Sequence, residues 1–275
     1  MPVAIITGAS KGLGRALAAA LAGRGWDLVV DARSSGPLEA AARELREGGA
    51  RVVALPGDVA DDGHRRELVA AARELGGLDL LVSNASVLGA APLVRLAEHP
   101  LTGLRDALEV NVVAPLGLVQ EALPLLRKSP LLAPPTEGAA NEDSSPYIGT
   151  EGDAFAGTGG AVLHISSDAA VEAYETWGGY GASKAALDQV SAVLAEEEPG
   201  LRVWWVDPGD MRTDLYAAAV PTDDDSGRPL PETVVPALLD LLDRRAASGR
   251  YRAGDLPAGP ATPADPPSAA PEGAR

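Results

Sequence analysis

Of the 23 basic side chains in this 275-residue sequence only three are lysines, Lys11, Lys128 and Lys184; the rest are arginines. A lysine kept against that bias is a candidate for a task that arginine cannot perform. Lys184 stands four residues after Tyr180, in Tyr180-Gly-Ala-Ser-Lys184, within a helical stretch. Positions i and i+4 share a helix face. An ammonium beside a phenol favours the phenolate and lowers its pKa, which makes an acid/base tyrosine. The pair alone also fits an exposed tyrosine and lysine on a surface helix, because Tyr-x-x-x-Lys recurs by chance.

A second motif lies at the start of the chain. Residues 2–7 form an apolar run that reads as a buried strand. Thr7-Gly8-Ala9-Ser10-Lys11-Gly12-Leu13-Gly14 follows, then an Ala/Leu-rich helical pattern over 15–22. Strand, glycine turn and helix are the context of a dinucleotide site. Glycines let the backbone approach a pyrophosphate, and the helix N-terminus offers it free N–H groups and a positive dipole end. The spacing is G-x-x-x-G-x-G rather than G-x-G-x-x-G. A glycine-rich turn without a ligand is the plainer alternative.

Further motifs fall in a fixed order. Asp58-Val59 follows a third strand, Asn84-Ala85 a fourth, and Asn111 sits in a long helix. Ser167 follows a fifth strand, thirteen residues before Tyr180, and Pro208-Gly209 with Thr213 follows a sixth. Together these resemble the short-chain dehydrogenases/reductases of the single-domain type, about 250 residues long, over residues 2–255. The resemblance implies an α/β, Rossmann-type, doubly wound parallel sheet of seven strands in the order 3-2-1-4-5-6-7. It also implies roles. Gly8, Ser10, Lys11, Gly12, Leu13 and Gly14 would form the cofactor-binding turn, with the glycines against the pyrophosphate. Asp58 and Val59 would meet its adenine, Asn84 and Ala85 would line its path, and Pro208, Gly209 and Thr213 would grip the nicotinamide carboxamide. Ser167 would stabilise charge on a substrate carbonyl oxygen, Tyr180 would give or take its proton, and Lys184 would bind the nicotinamide ribose. Asn111 would hold a water that relays protons to Lys184. Ser86 stands where relatives carry glycine beside the cofactor.

Counted from Gly8, the ribose-facing slot after the second strand falls on Ala32, with Arg33 next. Asp31 is one residue early, and strand alternation points it away from the ribose. Arg33 and Lys11, with no acid, suit a 2′-phosphate, so NADP(H) is expected. A slip of one residue would put Asp31 on the ribose and favour NAD(H).

The strand–helix alternation argues for one α/β domain over residues 1–255. Strands are expected near 2–7, 27–32, 51–57, 78–83, 160–166, 201–207 and 250–253. Helices are expected near 12–24, 36–48, 61–75, 103–127, 178–197 and 232–246. Residues 129–159, rich in Pro, Gly, Ser and acids, read as an inserted surface loop. Residues 256–275, rich in Pro and Ala, read as a disordered tail. With no cysteine there is no disulfide or thiol chemistry, and the three histidines lack metal-ligand spacing, so no metal is expected. A net charge of −16 argues against nucleic acid and anionic membranes as partners. No run reads as an apolar membrane span and no signal peptide is seen, so a cytoplasmic location is expected.

The expected activity is reduction of a carbonyl, or oxidation of a secondary alcohol, by hydride transfer, in a homodimer or homotetramer. Val87, Leu88, Asp168, Trp177, Met211, Leu215 and Tyr216 are expected to line the substrate pocket. The acidic run 223–225 reads as a solvated loop tip or a greeting for a cationic group. Two other readings stay open: a non-redox reaction at the same site, such as epimerisation or dehydration, and a non-catalytic NADP(H)-binding sensor or scaffold.

Overall fold

The computed structural model describes residues 1–133 and 158–257. Most of the 129–159 segment and almost all of the 256–275 tail lie outside the described residues.

Seven strands make one sheet: β1 (Val3–Ile6), β2 (Asp27–Ala32), β3 (Val52–Pro56), β4 (Leu80–Ser83), β5 (Ala161–Ile165), β6 (Arg202–Asp207) and β7 (Gly249–Arg252). Their order is β3-β2-β1-β4-β5-β6-β7, and every pairing is parallel. This is the doubly wound order that the family resemblance implies. The strands read as continuous apolar runs because both faces are covered. Alternate residues serve opposite cores. Ala4, Ile6, Leu28 and Val30 pack with Leu17 and Leu21 of α1 (Gly12–Gly23), Leu38 of α2 (Ser35–Glu47) and Leu241 of the last helix. Val3, Ile5, Val29 and Leu81 pack on the other side with Leu68 of α3 (Asp62–Leu75) and with Leu118 and Leu126.

The expected helix near 103–127 is not uniform. It runs as α4 (Leu101–Leu108), a π turn over Glu109–Val113, and α5 (Ala114–Leu126). The sequence carries a reason. Pro115 has no N–H, so it cannot donate to the carbonyl of Asn111, and the α pattern breaks there. The Ala114 N–H reaches back to Glu109 O instead. By length and mean hydropathy (1.2) Leu101–Leu126 is apolar enough to cross a membrane, a test that the core helices of soluble proteins also pass. Here Leu118, Val119, Ala122 and Leu126 are buried against the sheet, the usual position of a core helix.

A short helix α7 (Asp214–Ala219) was not expected; Thr213 caps it, its Oγ1 accepting from the Tyr216 N–H at 3.2 Å. The last helix, α8 (Val235–Asp243), follows a 3-10 turn at Pro231–Thr233 and is shorter than the periodicity over 232–246 implied. Helix α6 (Gly178–Glu197) carries Tyr180 and Lys184.

Candidate active site

The carboxyl ends of β1, β2, β4, β5 and β6 open onto one groove of about 1250 Å³, where a doubly wound sheet places its ligands. Its glycine end is built by backbone geometry. Gly8 and Gly12 hold φ of +66° and +57°, the left-handed region that suits glycine. A Cβ on Gly14 would sit 2.5 Å from Asn84 Nδ2 and 2.6 Å from Gly8 O. Asn84 ties this turn to β4: its Nδ2 donates to Thr7 O at 2.8 Å and to Gly8 O at 3.2 Å. Thr7 Oγ1 accepts from the N–H groups of Asn84 and Ala85, each at 3.0 Å.

The site fits a dinucleotide. Helix α1 has neither a side-chain N-cap bond nor an acid in its first turn, which leaves its N-terminal N–H groups for an anion. A Cβ on Gly12 would meet only Thr213 Cγ2, at 3.8 Å, so the missing side chain leaves open space between the glycine turn and the loop after β6. Ser10, Leu13, Asp58, Val59, Ala85, Pro208, Gly209 and Thr213 all line the groove. Gly14 and Asn111 do not: Gly14 packs on the Gly8 backbone, and Asn111 lies behind the wall.

At the end of β2, Asp31 is almost fully buried. It accepts from the Gly8 N–H at 2.8 Å and lies 3.1 Å from His64 Nε2. Burial raises its pKa, opposed by the His64 contact. Hydrogen bonding to Asp31 raises that of His64. The carboxylate therefore braces the glycine turn. His64 is a participant that sequence reasoning missed, because the pair spans 33 positions and leaves no local pattern. Arg33 is exposed at the groove. Lys11 is held by Asp214 at 2.5 Å, across the groove from the glycine turn.

The catalytic end is built from β5 and α6. Tyr180 and Ser183–Lys184 are buried. Tyr180 packs edge-on against Trp177, ring centroids 5.7 Å apart. Lys184 Nζ lies 5.5 Å from the Tyr180 ring centroid and donates to Ile165 O at 2.7 Å. Burial lowers the Lys184 pKa to about 8. Burial raises that of Tyr180, while Ser86 and Ser167 draw it down. The expectation that Lys184 lowers the phenol's pKa is thus corrected. In this structure the phenol is desolvated and the ammonium is aimed at a backbone carbonyl. Ser167 half-caps a 3-10 turn: it accepts from the Ala169 N–H at 3.2 Å and donates to Asp168 Oδ1 at 3.0 Å.

Asn111 is an anchor. Its Oδ1 accepts from Val87 N at 2.9 Å and Ser86 Oγ at 3.1 Å, and its Nδ2 donates to Val87 O at 2.9 Å and Ser183 Oγ at 2.8 Å. Ser183 in turn donates to Tyr180 O at 2.7 Å. Ser86, in place of glycine, joins the β4 loop to this network.

The far wall is lined by Val87, Leu88, Asp168, Trp177, Met211, Leu215 and Tyr216, as expected. The run 223–225 is not among the lining residues. Asp223 instead accepts from Tyr216 Oη at 2.6 Å and from Arg228 Nη2 at 2.7 Å. Among the described residues no group of His, Cys, Asp and Glu could hold a metal ion.

These features define an α/β oxidoreductase scaffold with a dinucleotide groove and a Ser–Tyr–Lys end. A family model described as short chain dehydrogenase matches residues 2–130 and 153–224. The chain is 32% identical over 217 residues to an uncharacterized oxidoreductase of Saccharomyces cerevisiae, covering 78% of this chain and 72% of that protein. It is 32% identical over 233 residues to sepiapterin reductase of Mus musculus, covering 81% and 79%. The structure of an alcohol dehydrogenase from the archaeon Thermococcus sibiricus, complexed with 5-hydroxy-NADP, matches with a TM-score of 0.74 at 26% identity, covering 92% of this chain and 95% of that one. The chain belongs to the short chain dehydrogenase family.

Proposed function

We propose that this protein is an NADP(H)-dependent oxidoreductase that interconverts a carbonyl and a secondary alcohol, with Tyr180 as the general acid/base. The observation that carries the reading is the convergence of Ser167, Tyr180 and Lys184 at one end of the groove whose other end is the glycine turn. The cofactor preference rests on Asp31 and Arg33. Asp31 is occupied by the Gly8 N–H and His64, and Arg33 is exposed at the groove.

The glycine turn and α1 N-terminus would hold the pyrophosphate, Asp58 and Val59 the adenine, and Arg33 the 2′-phosphate. Lys11 would reach that phosphate only by leaving Asp214. Asn84 and Ala85 would line the cofactor's path, and Pro208, Gly209 and Thr213 would orient the nicotinamide. Bound there, the cofactor supplies or accepts the hydride. Ser167 donates to the substrate oxygen as negative charge builds on it. Tyr180, kept protonated by burial, delivers the proton. Lys184 holds positive charge beside the phenol, and Asn111, whose carbonyl Pro115 leaves without an α-helical donor, would hold a water that relays protons to Lys184. Leu88, Trp177 and Met211 exclude water from the reacting atoms. The same reading takes residues 1–255 as one domain, in a cytoplasmic homo-oligomer.

The test is oxidation of NADPH and of NADH against a panel of ketones and aldehydes, with Tyr180→Phe alongside. Turnover should favour NADPH, and the Phe variant should lose at least about 100-fold in kcat. An equally active Phe variant would overturn the acid/base assignment, and a preference for NADH would overturn the Arg33 assignment.

A further inference from the structure

Three consecutive residues at the end of β5 are each gripped by a different polar group. Lys184 Nζ donates to Ile165 O at 2.7 Å. Ser166 Oγ donates to Asp188 Oδ1. Arg250 Nη2 donates to Ser167 O at 2.9 Å. Arg250 also closes the set, its Nε donating to Asp188 Oδ2 at 2.9 Å. Arg250 comes from β7, at the far edge of the sheet, and Asp188 lies one helical turn after Lys184. The ion pair is sheltered: the Arg250 and Asp188 side chains are 23% and 12% exposed. The fold needs no charged pair here to close the sheet, since β6 and β7 already pair through the backbone over Trp204–Asp207.

We propose that Arg250 and Asp188 are positioning residues for the reaction: Arg250 fixes the backbone that carries the Ser167 hydroxyl, and Asp188 holds Ser166 while placing a negative charge one helical turn from Lys184. The proposal rests on the oxidoreductase reading above for its catalytic part. Its electrostatic part stands without it. Ser166, the neighbour of Ser167, thereby gains a role. A guanidinium suits the task because one planar fork can serve a carboxylate and a carbonyl together.

The groups that bear on Lys184 are few. Tyr180 and Asp188 share its helix, its charge acts on buried His164 of β5, and Arg250 of β7 acts on Asp188. Asp168 and Asp207 act on Tyr180. Asp188 raises the Lys184 pKa against burial, so its removal should make the ammonium easier to deprotonate.

Because the chain has only three lysines, ¹³Cε-lysine NMR can follow Lys184 in the cofactor-free protein, with Lys184→Met assigning its signal. In Asp188→Asn the Lys184 titration should move to lower pH by about half a unit or more. Arg250→Met should lower kcat roughly 10-fold to 100-fold, with the NADPH Kd changed less than about threefold. Arg250→Lys keeps the charge beside Asp188 but cannot span both acceptors. It should therefore leave the Lys184 titration near wild type, and its kcat should fall between those of wild type and Arg250→Met. Thermal melts establish that each variant is folded; if Arg250→Met is not, Asp188→Asn and Arg250→Lys carry the test. An unmoved Lys184 titration in Asp188→Asn would overturn the electrostatic role. A folded Arg250→Met protein with wild-type kcat would overturn the positioning role. Loss of all turnover in the wild type, with the Lys184 shift intact, would count against the oxidoreductase reading alone.

Discussion

His164 should make this protein sensitive to acid in a way that one substitution removes. It sits in the middle of the sheet with no solvent exposure. Its Nδ1 lies 2.7 Å from Ser191 Oγ, and Ser191 spends its own proton on Leu187 O at 2.7 Å. Nδ1 must then be the ring's donor, and Nε2 is left a bare lone pair with no partner. A second proton would put a cation in an apolar wall, near the charge of Lys184. Burial first and Lys184 second push the His164 pKa down to about 3 from 6.5. The unfolded chain therefore takes up a proton that the folded chain refuses as pH falls below about 6.5. Stability is full above that value and is lost as pH falls from there towards about 3. At about 1.4 kcal/mol per pH unit, His164 alone should cost about 2 kcal/mol between pH 7.5 and pH 5. Urea unfolding of wild type and His164→Leu at both pH values isolates it. Leucine removes the titration, and Ser191 keeps its bond to Leu187. The buried Asp31–His64 pair has the opposite sign in its His64 part, because a raised histidine pKa adds stability at low pH that is lost as pH rises through it. That contribution is common to both proteins and cancels in their difference. The stability gap between variant and wild type should shift by about 2 kcal/mol in favour of the variant at pH 5. Parallel pH curves would refute the reasoning.

Two further predictions concern the cofactor end. Gly14→Ala forces a methyl within 2.6 Å of Gly8 O and 2.5 Å of Asn84 Nδ2, so the glycine turn must shift. It should cost about 1–3 kcal/mol of stability, together with most of the NADPH affinity, read by urea unfolding and fluorescence titration. Arg33→Ser removes a charge-assisted contact to a 2′-phosphate and should weaken NADPH binding by about 10-fold to 100-fold. NADH binding should stay within about twofold, and equal losses for both cofactors would show that Arg33 does not read the phosphate.

The sequence by itself determined the sheet and the groove's contents. Uninterrupted apolar strands that alternate with helical stretches argue for a parallel sheet covered on both faces. Gly8, Gly12 and Gly14 lie close in the chain, and so do Tyr180 and Lys184, so spacing along one turn or one helix face already brings them together. The π turn was legible too, had the missing N–H of Pro115 been set against the Asn111 carbonyl. Tertiary structure alone decided the rest. Asp31 meets His64 across 33 positions and Arg250 meets Asp188 across 62, contacts that no local pattern encodes. The sign of the Tyr180 shift was likewise invisible. The i, i+4 spacing sets where the ammonium can lie, but desolvation depends on what covers the phenol, and Trp177 and the β4 loop reach it only in the folded chain.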